Sequence, residues 1–180
     1  MVPRLQRKQR RTKKTILIVG EGPTEKAFLQ YLKNLYITRE MDINVKVECG
    51  SGGSPRSVVE KAVRLKSSRA YDKCFVLVDS DVLFEPDKEL QKRMNKKPRI
   101  EMLYATPCIE GLMLAILNHP KFSQTKALSD DCKRMFAKYV SEDKKTDRRA
   151  YEGVFTKKIL EARRKDVEEL KSILVIIEEQ

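Results

Sequence analysis

Four acidic side chains follow two apolar stretches of this sequence. Glu21 and Glu25 come after one stretch, and Asp79 and Asp81 come directly after the other. A short unbroken apolar run predicts a strand covered on both faces, as in a parallel sheet. Open α/β sheets bind their ligands at the carboxyl ends of such strands. We therefore expect both acidic clusters to lie at the same edge of one sheet.

These carboxylates would repel one another unless a cation lay between them. Oxygen ligands suit hard divalent ions, so the sequence predicts a site for Mg²⁺ or Mn²⁺ formed by Glu21, Glu25, Asp79 and Asp81. One or two such ions would bind phosphate oxygens, activate an attacking water and stabilise the leaving oxygen. Two simpler interpretations stay open: Glu25 is a partner of the helix dipole, and residues 79–81 form a turn and a helix cap.

The charge of the chain favours a polyanionic partner. Lysine and arginine number 38 against 26 aspartates and glutamates, which gives +12 at pH 7. Residues 1–14 hold seven cations and no acid, and residues 88–99 hold six more. An acidic site on such a basic chain predicts chemistry on DNA or RNA. We expect both basic segments to contact phosphates; the alternative is that they are a solvated tail and a solvated loop. The cations expected to bind nucleic acid are Arg10, Arg11, Lys13, Lys14, Lys92, Arg93, Lys96 and Lys97.

Several other classes of protein are excluded by what the sequence lacks. The turn at residues 20–24 does not end in Gly-Lys-Ser/Thr, so ATP hydrolysis by a P-loop is excluded. The four cysteines form no C-x-x-C pair and the chain has one histidine, so we expect no zinc site and a reduced, cytoplasmic protein. No apolar stretch approaches the roughly 20 residues of a membrane helix.

The elements that must position the acidic residues alternate between strand and helix. This alternation predicts an α/β fold with a mostly parallel sheet and helices on both faces. Strands one and three carry the acidic clusters, so they should be neighbours, as in the order 2-1-3-4. We expect a basic arm over 1–14 and a single domain over 15–180, with a core over about 15–120 and a helical part over about 121–180. The apolar run at 173–177 fits either a helix or a strand.

The motifs resemble those of a known group of proteins. The sequence Glu-Gly-Pro-Thr-Glu at 21–25, with Asp-Ser-Asp at 79–81, resembles the TOPRIM domain of topoisomerases, primases and OLD-type nucleases, a Rossmann-like fold. The chain is more similar to the RloB-like family of small bacterial proteins, often found with restriction or phage-defence genes. That resemblance also includes the basic lead-in at 10–14 and the segment 106–110, where the family has Asn-Pro-x-x-Glu before an apolar helix.

This resemblance implies further site residues and a function. It makes Glu110 a metal ligand or a carboxylate that supports one, although a helix-dipole role is equally open. It implies a catalytic set of Glu21, Asp79, Lys144 and Lys145 in a metal-dependent nuclease or related phosphoryl-transfer enzyme. The expected setting is phage defence or restriction, with a homodimer or a partner protein of such a system. The alternatives are a non-catalytic module that binds nucleic acid or senses nucleotides, and a structural subunit of a defence complex.

Overall fold

The computed structural model describes residues 13–50, 53–123 and 127–179. Four strands alternate with helices, and a helical part follows the last strand. The strands are β1 (Lys14–Gly20), β2 (Ile43–Cys49), β3 (Lys73–Asp79) and β4 (Ile100–Ala105). The helices are α1 (Pro23–Tyr36), α2 (Pro55–Ser68), α3 (Lys88–Asn95), α4 (Ile109–Ile116), α5 (Ser129–Phe136), α6 (Lys157–Arg163) and α7 (Glu168–Glu178).

The four strands form one parallel sheet in the order β2-β1-β3-β4, which confirms the predicted topology. The apolar runs of β1 and β3 occupy the two central positions and are buried on both faces. The edge strand β2 instead alternates buried and exposed residues, because only one of its faces is covered. The acidic clusters therefore follow two strands that are hydrogen-bonded neighbours.

Helices cover the sheet on both faces and divide the apolar core into two clusters. Helices α2 and α3 pack on one face, against side chains such as Val19 and Val76. Helix α1 and the helices after β4 pack on the other face, against side chains such as Ile18 and Leu77. The alternation of partners along β1 and β3 follows from the period of two along a strand.

The helical part after β4 settles one open alternative. The apolar run at 173–177 lies within α7, so it is a helix and not a fifth strand. The charged segment between α5 and α6 contains two short 3₁₀ helices, Glu142–Lys144 and Arg148–Tyr151. None of the helices in the described part of the chain is both long and apolar enough to span a membrane.

The sheet has two ends with different chemistry, which we call the carboxyl edge and the amino edge. β1 and β3 end at the carboxyl edge with Gly20 and Asp79, and they begin at the amino edge with Lys14 and Lys73. Residues 88–99 follow the second acidic cluster in the chain, but most of this segment lies away from the carboxyl edge. Helix α3 runs back along the sheet because β4 is parallel to β3, with Ile100 paired to Cys74 at the amino edge.

Candidate metal centre

Glu21 lies in the turn between β1 and α1, at the carboxyl edge. Its Oε2 accepts a hydrogen bond from the backbone N–H of Asp79 at 3.3 Å, which links the ends of the two central strands. The N–H of Gly50 donates to the carbonyl of Gly20 at 2.7 Å. A Cβ at Gly50 would lie 2.7 Å from the carbonyl oxygen of Glu21, so only glycine fits this close approach. The ends of three strands therefore position Glu21.

Glu25 lies in the first turn of α1 and is buried, with 6% of its surface exposed. Its Oε2 accepts a hydrogen bond from the N–H of Gly22 at 2.8 Å, so Glu25 has the helix-terminal role named as the simpler interpretation. Burial raises the pKa of Glu25, two backbone hydrogen bonds oppose this shift, and the charges of Glu110 and Glu21 add to it. Glu25 is thus both a cap and a member of the acidic cluster.

Asp79 is the centre of the cluster. Its Oδ1 accepts a hydrogen bond from the N–H of Ile109, the first residue of α4, at 3.0 Å. Burial raises the pKa of Asp79 to about 8, and the negative charges of four other carboxylates contribute to this shift. Those four are the other predicted metal ligands, Glu25, Glu21, Asp81 and Glu110. The structure therefore brings all five predicted carboxylates into one electrostatic group.

Asp81 has a different hydrogen-bond partner from Asp79. The chain turns after β3, because the N–H groups of Ser80 and Asp81 both donate to the carbonyl of Pro107 at 3.1 Å. The Oδ2 of Asp81 then accepts a hydrogen bond from the hydroxyl of Ser129, at the start of α5. Residues 80 and 81 form a turn, so the turn named as the simpler interpretation is present.

Glu110 is paired with a buried lysine. Its Oε1 accepts a hydrogen bond from Nζ of Lys145 at 3.1 Å, and the two side chains are only 7% and 4% exposed. Nζ also donates to Glu142 at 2.6 Å. Burial lowers the pKa of Lys145, but the two carboxylates outweigh this effect and the net shift is upward. The neighbouring Lys144 is exposed and makes no ion pair within the described residues. Only one of the two predicted catalytic lysines therefore reaches the cluster.

Two residues of α5 join this site without having been predicted. One is Ser129, whose hydroxyl donates a hydrogen bond to Asp81. The other is Lys133: burial raises the pKa of Glu21, and the positive charge of Lys133 partly opposes this shift. Ser129 is 48 residues from Asp81 in the chain. The packing of α5 against α4 brings both residues to the acidic cluster. No local sequence motif marks either of them, since this packing joins distant parts of the chain.

The sequence model of the family described as RloB-like protein matches residues 16–172. The chain belongs to the RloB-like family. No curated protein and no solved structure matches it significantly. In this RloB-like chain the matched region contains the five carboxylates, both lysines at 144 and 145, and the basic segment 88–99.

The acidic cluster of this RloB-like chain fits a hard divalent cation by its ligand chemistry. In the part of the chain that the structure describes, Oε1 of Glu21 and Oδ2 of Asp79 accept no hydrogen bond. However, no three His, Cys, Asp or Glu side chains among the described residues are arranged closely enough to hold a metal ion. The carboxylates are therefore gathered by the fold, but their oxygens do not form a ready coordination shell.

Those of the predicted nucleic-acid-binding cations that the structure describes lie away from this cluster. Lys14 begins β1 at the amino edge, where its side chain pairs with Glu179, and Nζ of Lys13 donates to the carbonyl of Met41 at 3.3 Å. Lys92, Arg93, Lys96 and Lys97 belong to the returning helix α3 and to the segment after it. Arg10 and Arg11 lie outside the described residues. The RloB-like chain thus has an acidic carboxyl edge and a basic amino edge.

Proposed function

We propose that this RloB-like protein is a divalent-metal-dependent nuclease, or a related phosphoryl-transfer enzyme, that acts on DNA or RNA. The supporting observation is the hydrogen bond that links Glu21 to the backbone of Asp79 at the ends of two adjacent parallel strands, with three further carboxylates near enough to act on Asp79 electrostatically. Burial and the negative charges of the other four carboxylates raise the pKa of Asp79, and a divalent cation would relieve the repulsion. The net charge of +12 makes the protein as a whole attractive to phosphates.

Each residue of the cluster has a distinct role in this proposal. Glu21, Asp79 and Asp81 would hold Mg²⁺ or Mn²⁺, which when bound would polarise a phosphodiester and lower the pKa of a water. The backbone N–H groups of Asp79 and Ile109 orient the carboxylates of Glu21 and Asp79. These hydrogen bonds occupy one oxygen of each carboxylate and leave the other oxygen for a cation or for water.

The two flanking carboxylates, Glu25 and Glu110, support this arrangement. Lys145 neutralises Glu110 from the buried side, so one charge of the group is compensated within the protein. Because its ammonium group is enclosed by two carboxylates, Lys145 is a positioning residue that does not reach substrate. Lys133 is exposed and acts electrostatically on Glu21, so it is the better candidate for contacting a phosphate at this edge.

The biological setting that we propose is phage defence or restriction. Membership of the RloB-like family supports this setting. A homodimer, or a complex with another protein of such a system, is part of the same proposal.

A non-catalytic nucleic-acid-binding module is the second candidate. One observation favours it: no three potential ligands among the described residues already form a metal-binding group. In that case the acidic cluster would be a structural feature of the carboxyl edge, and the basic surface would account for the whole function.

A cleavage assay separates the two candidates. Purified protein is incubated with plasmid DNA, single-stranded DNA and RNA, each with Mg²⁺, with Mn²⁺ or with EDTA. For a nuclease we expect products with a metal and none with EDTA. Asp79→Asn keeps the acceptor for Ile109 and should abolish cleavage, as should Glu21→Gln. Glu101→Gln, which changes an exposed carboxylate on β4, should leave cleavage unchanged.

The outcomes are distinct. Binding without cleavage under every condition would support the non-catalytic module. Cleavage that survives in Asp79→Asn would contradict the proposed site, and a protein that neither binds nor cleaves nucleic acid would contradict both candidates.

A further inference from the structure

A groove of about 490 Å³ lies between α2 and the segment that follows α3. It is at the amino edge, because α2 ends just before β3 begins and residues 96–99 lead directly into β4. The length of β3, seven residues at about 3.3 Å each, separates it from the acidic cluster by roughly 20 Å. The groove is therefore a separate surface from the candidate metal centre.

The side chains that line this groove are strongly basic. All the residues that line the groove belong to the described part of the chain, and none of them is a carboxylate. Five are cations: Arg64, Lys66, Arg93, Lys96 and Lys97. Except for Lys66, these cations make neither an ion pair nor a side-chain hydrogen bond within the described residues, whereas Lys14 and Lys73 on the same edge share Glu179. The groove thus keeps four positive charges that the described protein does not compensate.

Lys66 holds the two sides of the groove together and contributes to its positive charge. Its side chain is buried, and Nζ donates hydrogen bonds to the carbonyls of Met94, Lys96 and Pro98 at 3.1, 2.7 and 2.8 Å. Carbonyl groups at the end of a helix carry partial negative charge and would disfavour an anion. By occupying two of them, at Met94 and Lys96, and also the carbonyl of Pro98, Lys66 ties the segment after α3 to α2 and offsets this opposing charge.

We infer that this groove is a binding site for the phosphate backbone of a nucleic acid, distinct from the site of cleavage. A protein partner would need an apolar centre, but Val63 is the one apolar residue of the lining. A row of unpaired cations suits a phosphate backbone, whose contacts position the ligand without reading its sequence. The identity of the ligand rests on the proposed function, whereas the binding test below does not require cleavage.

The position of the groove, at the opposite edge of the sheet from the acidic cluster, would make it an anchor for the substrate. Lys13, with which the described part of the chain begins, also lies on the amino edge. A nucleic acid held at this edge must extend roughly 20 Å to meet the acidic cluster. We therefore expect the groove to increase affinity for long ligands and to leave the chemistry at the carboxyl edge unchanged.

The test compares two variants of equal charge. The groove variant replaces Arg64, Arg93, Lys96 and Lys97 by Gln, which keeps helix propensity and leaves Lys66 in place. The control variant replaces four exposed cations of the C-terminal part, Arg148, Arg149, Lys158 and Lys165, by Gln. Each variant loses four charges from +12, so both have a net charge of +8. Circular dichroism and thermal unfolding confirm that each variant is folded.

Binding to labelled DNA duplex and to RNA is measured in EDTA over a range of salt concentrations. Each lost phosphate contact on duplex DNA should lower the slope of log affinity against log salt by about 0.9, so the groove variant should lose roughly 2 to 4 units. Its affinity near 0.1 M salt should fall by about tenfold or more, and that of the control by much less.

An equal loss in both variants would overturn the inference, because net charge alone would then explain binding. An unchanged slope in the groove variant, or no binding of nucleic acid by the wild type, would also overturn it. Binding to vesicles that contain phosphatidylserine is measured in the same way. If the groove variant lost vesicle binding but kept nucleic-acid binding, the assigned ligand would be contradicted. Binding that depends on the groove without any cleavage would support the groove and contradict the nuclease.

Discussion

The ammonium group of Lys145 and the carboxylate of Glu110 form a buried ion pair of 3.1 Å beside the acidic cluster. The hydroxyl of Tyr151 donates to the carbonyl of Lys145 at 2.6 Å, and this fixes the backbone that presents the lysine. The pair joins the start of α4 to the segment after α5. It therefore connects the helical part of the chain to the carboxyl edge of the sheet.

Breaking this ion pair should destabilise the protein. Lys145→Met leaves Glu110 buried without its partner, and the expected loss in the free energy of unfolding is about 3–5 kcal/mol. Lys144→Met changes an exposed neighbour and should stay within about 0.5 kcal/mol of wild type. Urea denaturation measures both values. The double variant Lys145→Met with Glu110→Gln should recover part of the loss, and no recovery would contradict the pairing.

The metal-free protein should become less stable as the pH rises. Asp79 has a pKa of about 8 in the folded protein, above its ordinary value of 3.8, so folding favours its protonated form. The stability that this group contributes is complete below its unfolded pKa of about 4 and is lost as the pH rises through about 8. Asp79→Asn should show a weaker decline between pH 5 and pH 9, measured by thermal unfolding in EDTA.

The corresponding shifts of Glu21 and Glu25 are also upward, so some decline should remain in that variant. Glu101→Gln should follow the wild-type profile. Identical profiles for wild type and Asp79→Asn would show that burial and the neighbouring charges do not raise the pKa of Asp79.

Adding a divalent metal should stabilise the protein. A ligand that binds only the folded state at a hundred times its Kd adds about 2.7 kcal/mol to the free energy of unfolding. We expect Mg²⁺ or Mn²⁺ to raise the Tm near pH 8, EDTA to reverse the shift, and Glu21→Gln or Asp79→Asn to abolish it. A Tm that responds equally in these variants and in Glu101→Gln would place the metal elsewhere.

The close approach at Gly50 should be essential for the position of Glu21. Gly50→Ala would place a Cβ 2.7 Å from the carbonyl oxygen of Glu21 and 3.0 Å from the side chain of Val58. We expect a loss of about 1–3 kcal/mol, because this side chain adds volume to a packed site, together with a weaker response to metal. Gly153→Ala is the control, since nothing lies within 4 Å of its added Cβ. Equal stability of the two variants would contradict the described packing.

Deleting residues 1–12 should weaken the binding of nucleic acid without affecting the fold. This deletion removes five cations and stops before β1, whose first residue, Lys14, donates its N–H to the carbonyl of Asp42 at 2.9 Å. The slope of log affinity against log salt should fall by about 0.9 for each phosphate contact that the segment makes. Fluorescence anisotropy measures this slope, and an unchanged value would identify the segment as a solvated tail.

Local sequence patterns were sufficient to predict the strand order and the meeting of the acidic motifs. Apolar runs at 16–19 and 74–78 are local signals for buried strands, and the acidic residues are covalently attached to the ends of those strands. Since parallel strands end at one edge, adjacency in the sheet was sufficient to bring Glu21 close to Asp79. The family resemblance also rested on these local motifs, and the family match supports it.

Helix packing brings residues from distant parts of the chain to the site and sets the position of the basic surface, and local sequence patterns do not predict either. Ser129 reaches Asp81, and Lys145 reaches Glu110, through helix packing across 48 and 35 residues, and no sequence period encodes such contacts. The basic segment 88–99 follows the acidic motif in the chain, yet most of it lies near the opposite edge. The physical reason is that a parallel neighbour of β3 must begin where β3 begins, so α3 carries these cations back along the sheet.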